Sequence, residues 1–119
     1  MTVPSLGMEW LVDAQGCDPA RLRDRARLDE LVASVLTDLK LIPVAPPQVH
    51  VFPGEGGVTG MVLLAESHLT FHTFPEHGTI TLNLYSCVSR PPYPFHDKLT
   101  RALGATRVDV RSFPRGKLP

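Results

Sequence analysis

Met8 to Ala14 is a short apolar run bounded by polar residues, and it predicts a strand. Asp18-Pro19 follows as a helix N-cap with a proline at the first helical position, where its missing N–H costs nothing. Leu22, Ala26, Leu28, Leu31, Val32, Val35, Leu36 and Leu39 then recur at three- and four-residue spacings, set against charged Arg21, Arg23, Asp24, Arg27 and Asp38. That spacing predicts one long amphipathic helix whose apolar stripe needs a sheet to cover. Pro43, Pro46 and Pro47 end the pattern, and Val49 to Phe52 reads as strand ahead of the turn Pro53-Gly54-Glu55-Gly56-Gly57. Val58 to Tyr85 reads as strand almost throughout, broken by Pro75-Glu76-His77-Gly78. Near its end Ile80, Leu82 and Leu84 alternate with Thr81, Asn83, Tyr85 and Cys87, which predicts Cys87 on the polar face. Pro91, Pro92 and Pro94 connect to a short helix over Phe95 to Leu103 that Gly104 stops, and Arg107 to Val110 predicts a last strand. This order predicts an α+β two-layer sandwich, a mostly antiparallel sheet with two helices on one face.

Size and charge narrow what such a fold can serve. A chain of 119 residues predicts a single domain, 1–119, with room for one core and no separate cofactor domain. Twelve basic and twelve acidic residues cancel to a formal net charge of zero, without a basic stripe to follow a phosphate backbone, so nucleic acid is not an expected partner. No apolar run approaches the roughly 20 residues of a membrane span, and Met1 to Gly7 lacks the charged-then-apolar order of a secretion signal. The expected location is the cytoplasm. Cys17 and Cys87 are expected to be free thiols, and neither has the paired spacing of a zinc site.

The densest chemistry lies in Glu66-Ser67-His68-Leu69-Thr70-Phe71-His72-Thr73-Phe74-Pro75-Glu76, inside a stretch that otherwise reads as strand. Each polar group buried without a partner costs about 1–3 kcal/mol, so a strand built only to fill a core would not carry so many. Ser67 with His68 or His72 as base suggests acyl transfer, but the Gly-x-Ser-x-Gly elbow is absent. Two histidines and Glu76 suggest a metal, although histidines four apart on a strand are spread over two pleats. Taken singly, each residue is better read as ordinary, the histidines as hydrogen-bonded sheet residues and Ser67 as a strand end; together they point to chemistry.

Together with Gly57-Val58-Thr59-Gly60 and Asn83-Leu84-Tyr85-Ser86-Cys87, this run resembles the central motif of the prokaryotic S-adenosylmethionine decarboxylases, closely over residues 50–88 and more loosely along the chain. The resemblance implies a proenzyme that cuts itself between Glu66 and Ser67, giving chains 1–66 and 67–119 and turning Ser67 into an N-terminal pyruvoyl group. By match to the motif, Thr59 would supply a hydroxyl that assists processing, and His72 the base that removes the Cα proton of Ser67. The new carbonyl would form a Schiff base with the substrate amine and act as electron sink, and Cys87 would return a proton to Cα after carbon dioxide leaves. Phe52 and Phe74 match positions against the adenine, Glu76 the carboxylate on the ribose, and His68 joins the same substrate-binding group. The product would be the aminopropyl donor for spermidine synthesis, and the resembled enzymes are homodimers with sites completed across subunits. The chain departs from the pattern at Phe74 for tryptophan, Thr59 for serine, Asn83 for aspartate and Val88 for glycine, and its tail is shorter. Those departures leave a pyruvoyl-dependent ornithine or arginine decarboxylase as the alternative, with a non-processing regulatory or binding homologue behind it.

Overall fold

The structure is a computed structural model that describes residues 5–117. Residues 1–4 of the stretch inspected for a secretion signal, and 118–119 of the expected downstream product, lie outside it. Six strands form one sheet: β1 (Ser5–Gln15), β2 (Gln48–Val51), β3 (Val58–Leu64), β4 (Ser67–Phe74), β5 (Thr79–Ser86) and β6 (Arg107–Lys117). Their spatial order is β2-β3-β4-β5-β1-β6 and every neighbouring pair is antiparallel. The helices are α1 (Pro19–Leu22), α2 (Arg25–Asp38) and α3 (Phe95–Leu103). One phase of the strands, including Trp10, Val12, Val62, Leu69, Phe71, Leu82 and Leu84, forms a single core with Leu22 of α1, Leu28 to Leu36 of α2 and Phe95, Leu99 and Leu103 of α3. The predicted α+β sandwich is therefore present, with three helices rather than two.

The differences from the sequence reading have local causes. The single long helix is cut at Arg23-Asp24. Asp18 caps α1 by accepting from the Ala20 N–H at 2.9 Å, and Asp24 caps α2 by accepting from the Arg27 N–H at 3.2 Å. The carbonyl of Leu22 is taken by the buried Thr73 hydroxyl at 2.9 Å, and the Arg23 side chain donates to the Glu55 carbonyl at 2.8 Å. The first of these bonds satisfies a carbonyl that a continuous helix would pair internally, and the second ties the break to the β2–β3 turn. Ala26, counted in the apolar stripe, is exposed on the first turn of α2. β6 continues seven residues past Val110 because an edge strand open to solvent needs no apolar alternation, and Pro114 is tolerated there for the lack of a further neighbour.

The long strand read from Val58 to Tyr85 also folds back at Ala65-Glu66, where Glu66 adopts φ 61°. Left-handed backbone in a residue with a Cβ costs about 1–3 kcal/mol and is not signalled by any glycine or asparagine here. In the middle of the same hairpin, Gly60 is required by close approach. A Cβ at this position would lie 2.4 Å from Cε1 of Phe71, whose ring covers it from the neighbouring strand.

Candidate active site

The period-two alternation divides the candidate residues between two faces of the sheet. On β4, Ser67 shares the core face with Leu69, Phe71 and Thr73, whereas His68, Thr70, His72 and Phe74 line the opposite, helix-free face. Ser67 is buried, and its hydroxyl lies 3.3 Å from the Ala65 carbonyl and 3.5 Å from Ser86 Oγ. Neither histidine is among its partners, so a serine–histidine pair does not form within the chain.

Ser67 instead opens β4 straight after a tight turn. Its N-terminal neighbour Glu66 is the left-handed residue of the β3–β4 turn, and the Glu66 carbonyl accepts the backbone N–H of Cys87 at 2.8 Å. Cys87 reaches that position because β5 ends at Ser86, directly across from Ser67, and the chain turns there. The alternation that predicted Cys87 on the polar strand face thus stops one residue short. The thiol is exposed, just beyond the strand. Cys17, the other free thiol, is buried under the core, and burial pushes its pKa up. The Glu66 carbonyl is thus held by a fixed N–H donor and followed by a residue that carries a hydroxyl, a pairing that suits acyl transfer to that oxygen.

A second cluster lies toward the other end of the outer face. Thr59 on β3 and His72 on β4 are cross-strand partners, with Thr59 Oγ1 2.8 Å from His72 Nδ1. His50 pairs with Thr59 across β2, and its ring meets that of Phe52 edge-on with centroids 4.5 Å apart. Phe52 and Phe74 are exposed large apolar residues, at 48% and 39%, and Glu76 follows Phe74 in the 3₁₀ turn Pro75–His77. A cleft of about 340 Å³ runs beside Gln48, His50, Thr59, Met61, Thr70 and His72. His68 stands apart from this cluster at the Ser67 end, stacked on Tyr85 with ring centroids 5.5 Å apart. Five residues of strand at about 3.3 Å each separate Ser67 from His72, so one chain holds its serine and that imidazole about 17 Å apart. The two are not brought together in one copy.

Between the clusters, Asn83 presents a buried Oδ1 with no hydrogen-bond partner among the described residues. It faces Thr70 and Leu11 across the neighbouring strands. Among the described residues, no group of three or more His, Cys, Asp or Glu side chains is placed to hold a metal ion, and no helix is long and apolar enough to cross a membrane. Ser86 was not singled out by sequence. The signal was present, however: it lies in phase with Leu82 and Leu84, a hydroxyl on an apolar face that must find a partner.

The family model for S-adenosylmethionine decarboxylase matches residues 8–116. The chain is 32% identical over 118 residues to S-adenosylmethionine decarboxylase proenzyme 2 of Halalkalibacterium halodurans, covering 97% of this chain and 90% of that protein. It is also 32% identical over 114 residues to the S-adenosylmethionine decarboxylase proenzyme of the archaeon Thermoplasma volcanium, covering 95% and 86%. The crystal structure of the adenosylmethionine decarboxylase from Aquifex aeolicus superposes with a TM-score of 0.81 at 30% identity, covering 98% of this chain and 96% of that one. With the sheet order, the turn at Glu66 and the motif residues in place, this chain belongs to the S-adenosylmethionine decarboxylase family of pyruvoyl-dependent carboxy-lyases.

Proposed function

We propose that this chain is a proenzyme that cuts itself between Glu66 and Ser67 and then decarboxylates S-adenosylmethionine. The observation that carries the reading is the Cys87 N–H on the Glu66 carbonyl at 2.8 Å, beside the Ser67 hydroxyl. In the first step Ser67 Oγ bonds to the Glu66 carbonyl carbon, the Glu66–Ser67 C–N bond breaks, and the hydroxyl proton ends on the freed amine. The Cys87 N–H stabilises the negative charge that builds on the carbonyl oxygen. His72 then removes the Cα proton of residue 67, and Oγ leaves as part of the Glu66 carboxylate. That elimination separates chains 1–66 and 67–119 and leaves a dehydroalanine at residue 67, which tautomerises to an imine. Water adds to the imine carbon and ammonia leaves, so the water oxygen becomes the ketone of the pyruvoyl group.

The 17 Å separation within one chain (about 3.3 Å for each of five residues) supports a homodimer in which Thr59 and His72 of the partner subunit reach Ser67. The outer sheet face suits such pairing. It exposes Met61, Leu63, Phe74 and Phe113, and an apolar face of this kind marks an interaction surface. In turnover the pyruvoyl group supplies an electron-withdrawing carbonyl that takes up the charge left as carbon dioxide departs. The Cys87 thiol protonates the substrate Cα. Phe52 and Phe74 flank the adenine and favour the sulfonium, Glu76 accepts from the ribose hydroxyls, and His68 borders the same substrate. The product is the aminopropyl donor of spermidine synthesis, made in the cytoplasm.

On a denaturing gel the purified protein is expected as two chains with a borohydride-reducible carbonyl on the downstream one, and Ser67→Ala is expected as one. A wild-type chain that stays intact would refute the reading. Mixing Ser67→Ala with His72→Ala chains is expected to restore cutting of the His72→Ala chain, which can borrow an intact imidazole, and no restoration would refute the shared site. Carbon dioxide release from S-adenosylmethionine, ornithine and arginine, measured side by side, decides the substrate. Asn83 favours keeping the two amino acids in that assay, since its amide replaces a charge on the outer face and leaves Oδ1 unpaired.

A further inference from the structure

Ser86 is fully buried on the core face of β5 and is the cross-strand partner of Ser67. A buried hydroxyl must be satisfied, and the partners of this one are Val88, next to Cys87, and Ser67 at the cut. It donates to the Val88 carbonyl at 2.8 Å, accepts from the Val88 N–H at 3.2 Å, and stands 3.5 Å from Ser67 Oγ. A serine hydroxyl has one proton and two acceptor positions, and the Val88 carbonyl takes the proton. Any proton between the two serines therefore comes from Ser67, whose hydroxyl also lies 3.3 Å from the Ala65 carbonyl. The paired bonds to Val88 close a ring around Cys87, and that ring aims the Cys87 N–H at the Glu66 carbonyl. Farther along, Arg90 Nη1 donates to the Leu39 carbonyl at 2.9 Å and Tyr93 donates to Asp38, so the connector is anchored to α2 on its far side and to Ser86 on its near side.

We infer that Ser86 is a positioning residue for self-cleavage, which holds at once the donor facing the Glu66 carbonyl and the hydroxyl that attacks it. The inference rests on the processing reading above and adds to it a residue whose work precedes His72. It acts on the acyl shift alone, in which Oγ of Ser67 replaces the amide nitrogen on the Glu66 carbon and the proton passes from oxygen to nitrogen. No other reactant enters.

Threonine and valine have the same shape and differ in the hydroxyl, so Ser86→Thr and Ser86→Val chains, matched by melting temperature, isolate it. Newly synthesised Ser86→Val is expected to cut about 2- to 12-fold more slowly than Ser86→Thr, the loss of one hydrogen bond. Its uncut chain is expected to resist hydroxylamine, which cleaves esters, because the amide has not yet shifted. His72→Ala, blocked at the next step, is expected to accumulate the hydroxylamine-sensitive ester. Equal rates for the valine and threonine chains overturn the role of Ser86, as does a valine chain that stalls as the ester. If the valine chain does not fold, Ser86→Ala is read by the same two outcomes. A wild-type chain that never cuts overturns the processing reading and this inference together, whereas a cut wild type with equal variant rates overturns this inference alone.

Discussion

Replacing Thr59 by valine removes one hydroxyl and leaves the branched shape that suits a strand. The hydroxyl lies 2.8 Å from His72 Nδ1, and on the proposed reading it fixes the ring that takes the Ser67 Cα proton. A neutral hydrogen bond contributes about 0.5–1.5 kcal/mol net, and each 1.4 kcal/mol is about tenfold in rate. Thr59→Val is therefore expected to slow elimination by about 2- to 12-fold, short of the block expected for His72→Ala. The effect on stability is smaller, because the pair faces solvent and water replaces the lost partner. Thr59→Ser keeps the hydroxyl and is expected to cut at close to the parent rate. The assay follows the appearance of chains 1–66 and 67–119 by mass spectrometry after a pulse of synthesis, alongside thermal melting of Ser67→Ala backgrounds that cannot cut. A Thr59→Val chain that matures at the parent rate, in an experiment where His72→Ala does not mature, refutes the orienting role.

Three further outcomes test separate parts of the molecule. Cys87→Ala keeps its backbone N–H and is expected to mature, while turnover falls by about 10²–10⁴; undiminished turnover removes the thiol from the reaction. Gly60→Ala forces a methyl against the Phe71 ring, and overpacking of this kind costs about 1–3 kcal/mol, seen as a melting temperature lower by several degrees; an unchanged melting temperature refutes the contact. The Asp38 carboxyl is held below its usual range by hydrogen bonds from Tyr93 and then from Lys98. Because its folded pKa is depressed, that contribution is present above the unfolded value and lost as pH falls through the folded one. The melting-temperature gap between the parent and Asp38→Asn is thus expected to be constant near neutrality and to close below about pH 4. A gap that is insensitive to pH refutes the assignment.

The parts legible in the sequence were those written by local chemistry. The sequence places helix α3 around Phe95 to Leu103, where it lies, because the prolines ending at Pro94 precede it and Gly104 accepts the left-handed turn that ends it. The strand alternation of β5 likewise placed Ile80, Leu82 and Leu84 in the core. The parts that were missed depend on residues distant in sequence. Nothing near Leu22 announces that Thr73, 51 residues later, takes its carbonyl, and nothing near Glu66 announces a left-handed turn with no glycine in it. The candidate site was legible as a list of residues through its motif but not as an arrangement. A one-dimensional run placed Ser67 and His72 within one site, whereas the pleat sets their side chains on opposite faces and the strand holds them several residues apart.

That separation has a kinetic consequence. If Ser67 must wait for an imidazole carried by another copy, maturation is a bimolecular event, and its rate at low protein concentration rises with concentration where a purely intramolecular cut would not. Freshly made chains would then remain inert precursors until two of them meet. Maturation would serve as a record of assembly, and dilution during synthesis would hold back the catalyst without any inhibitor.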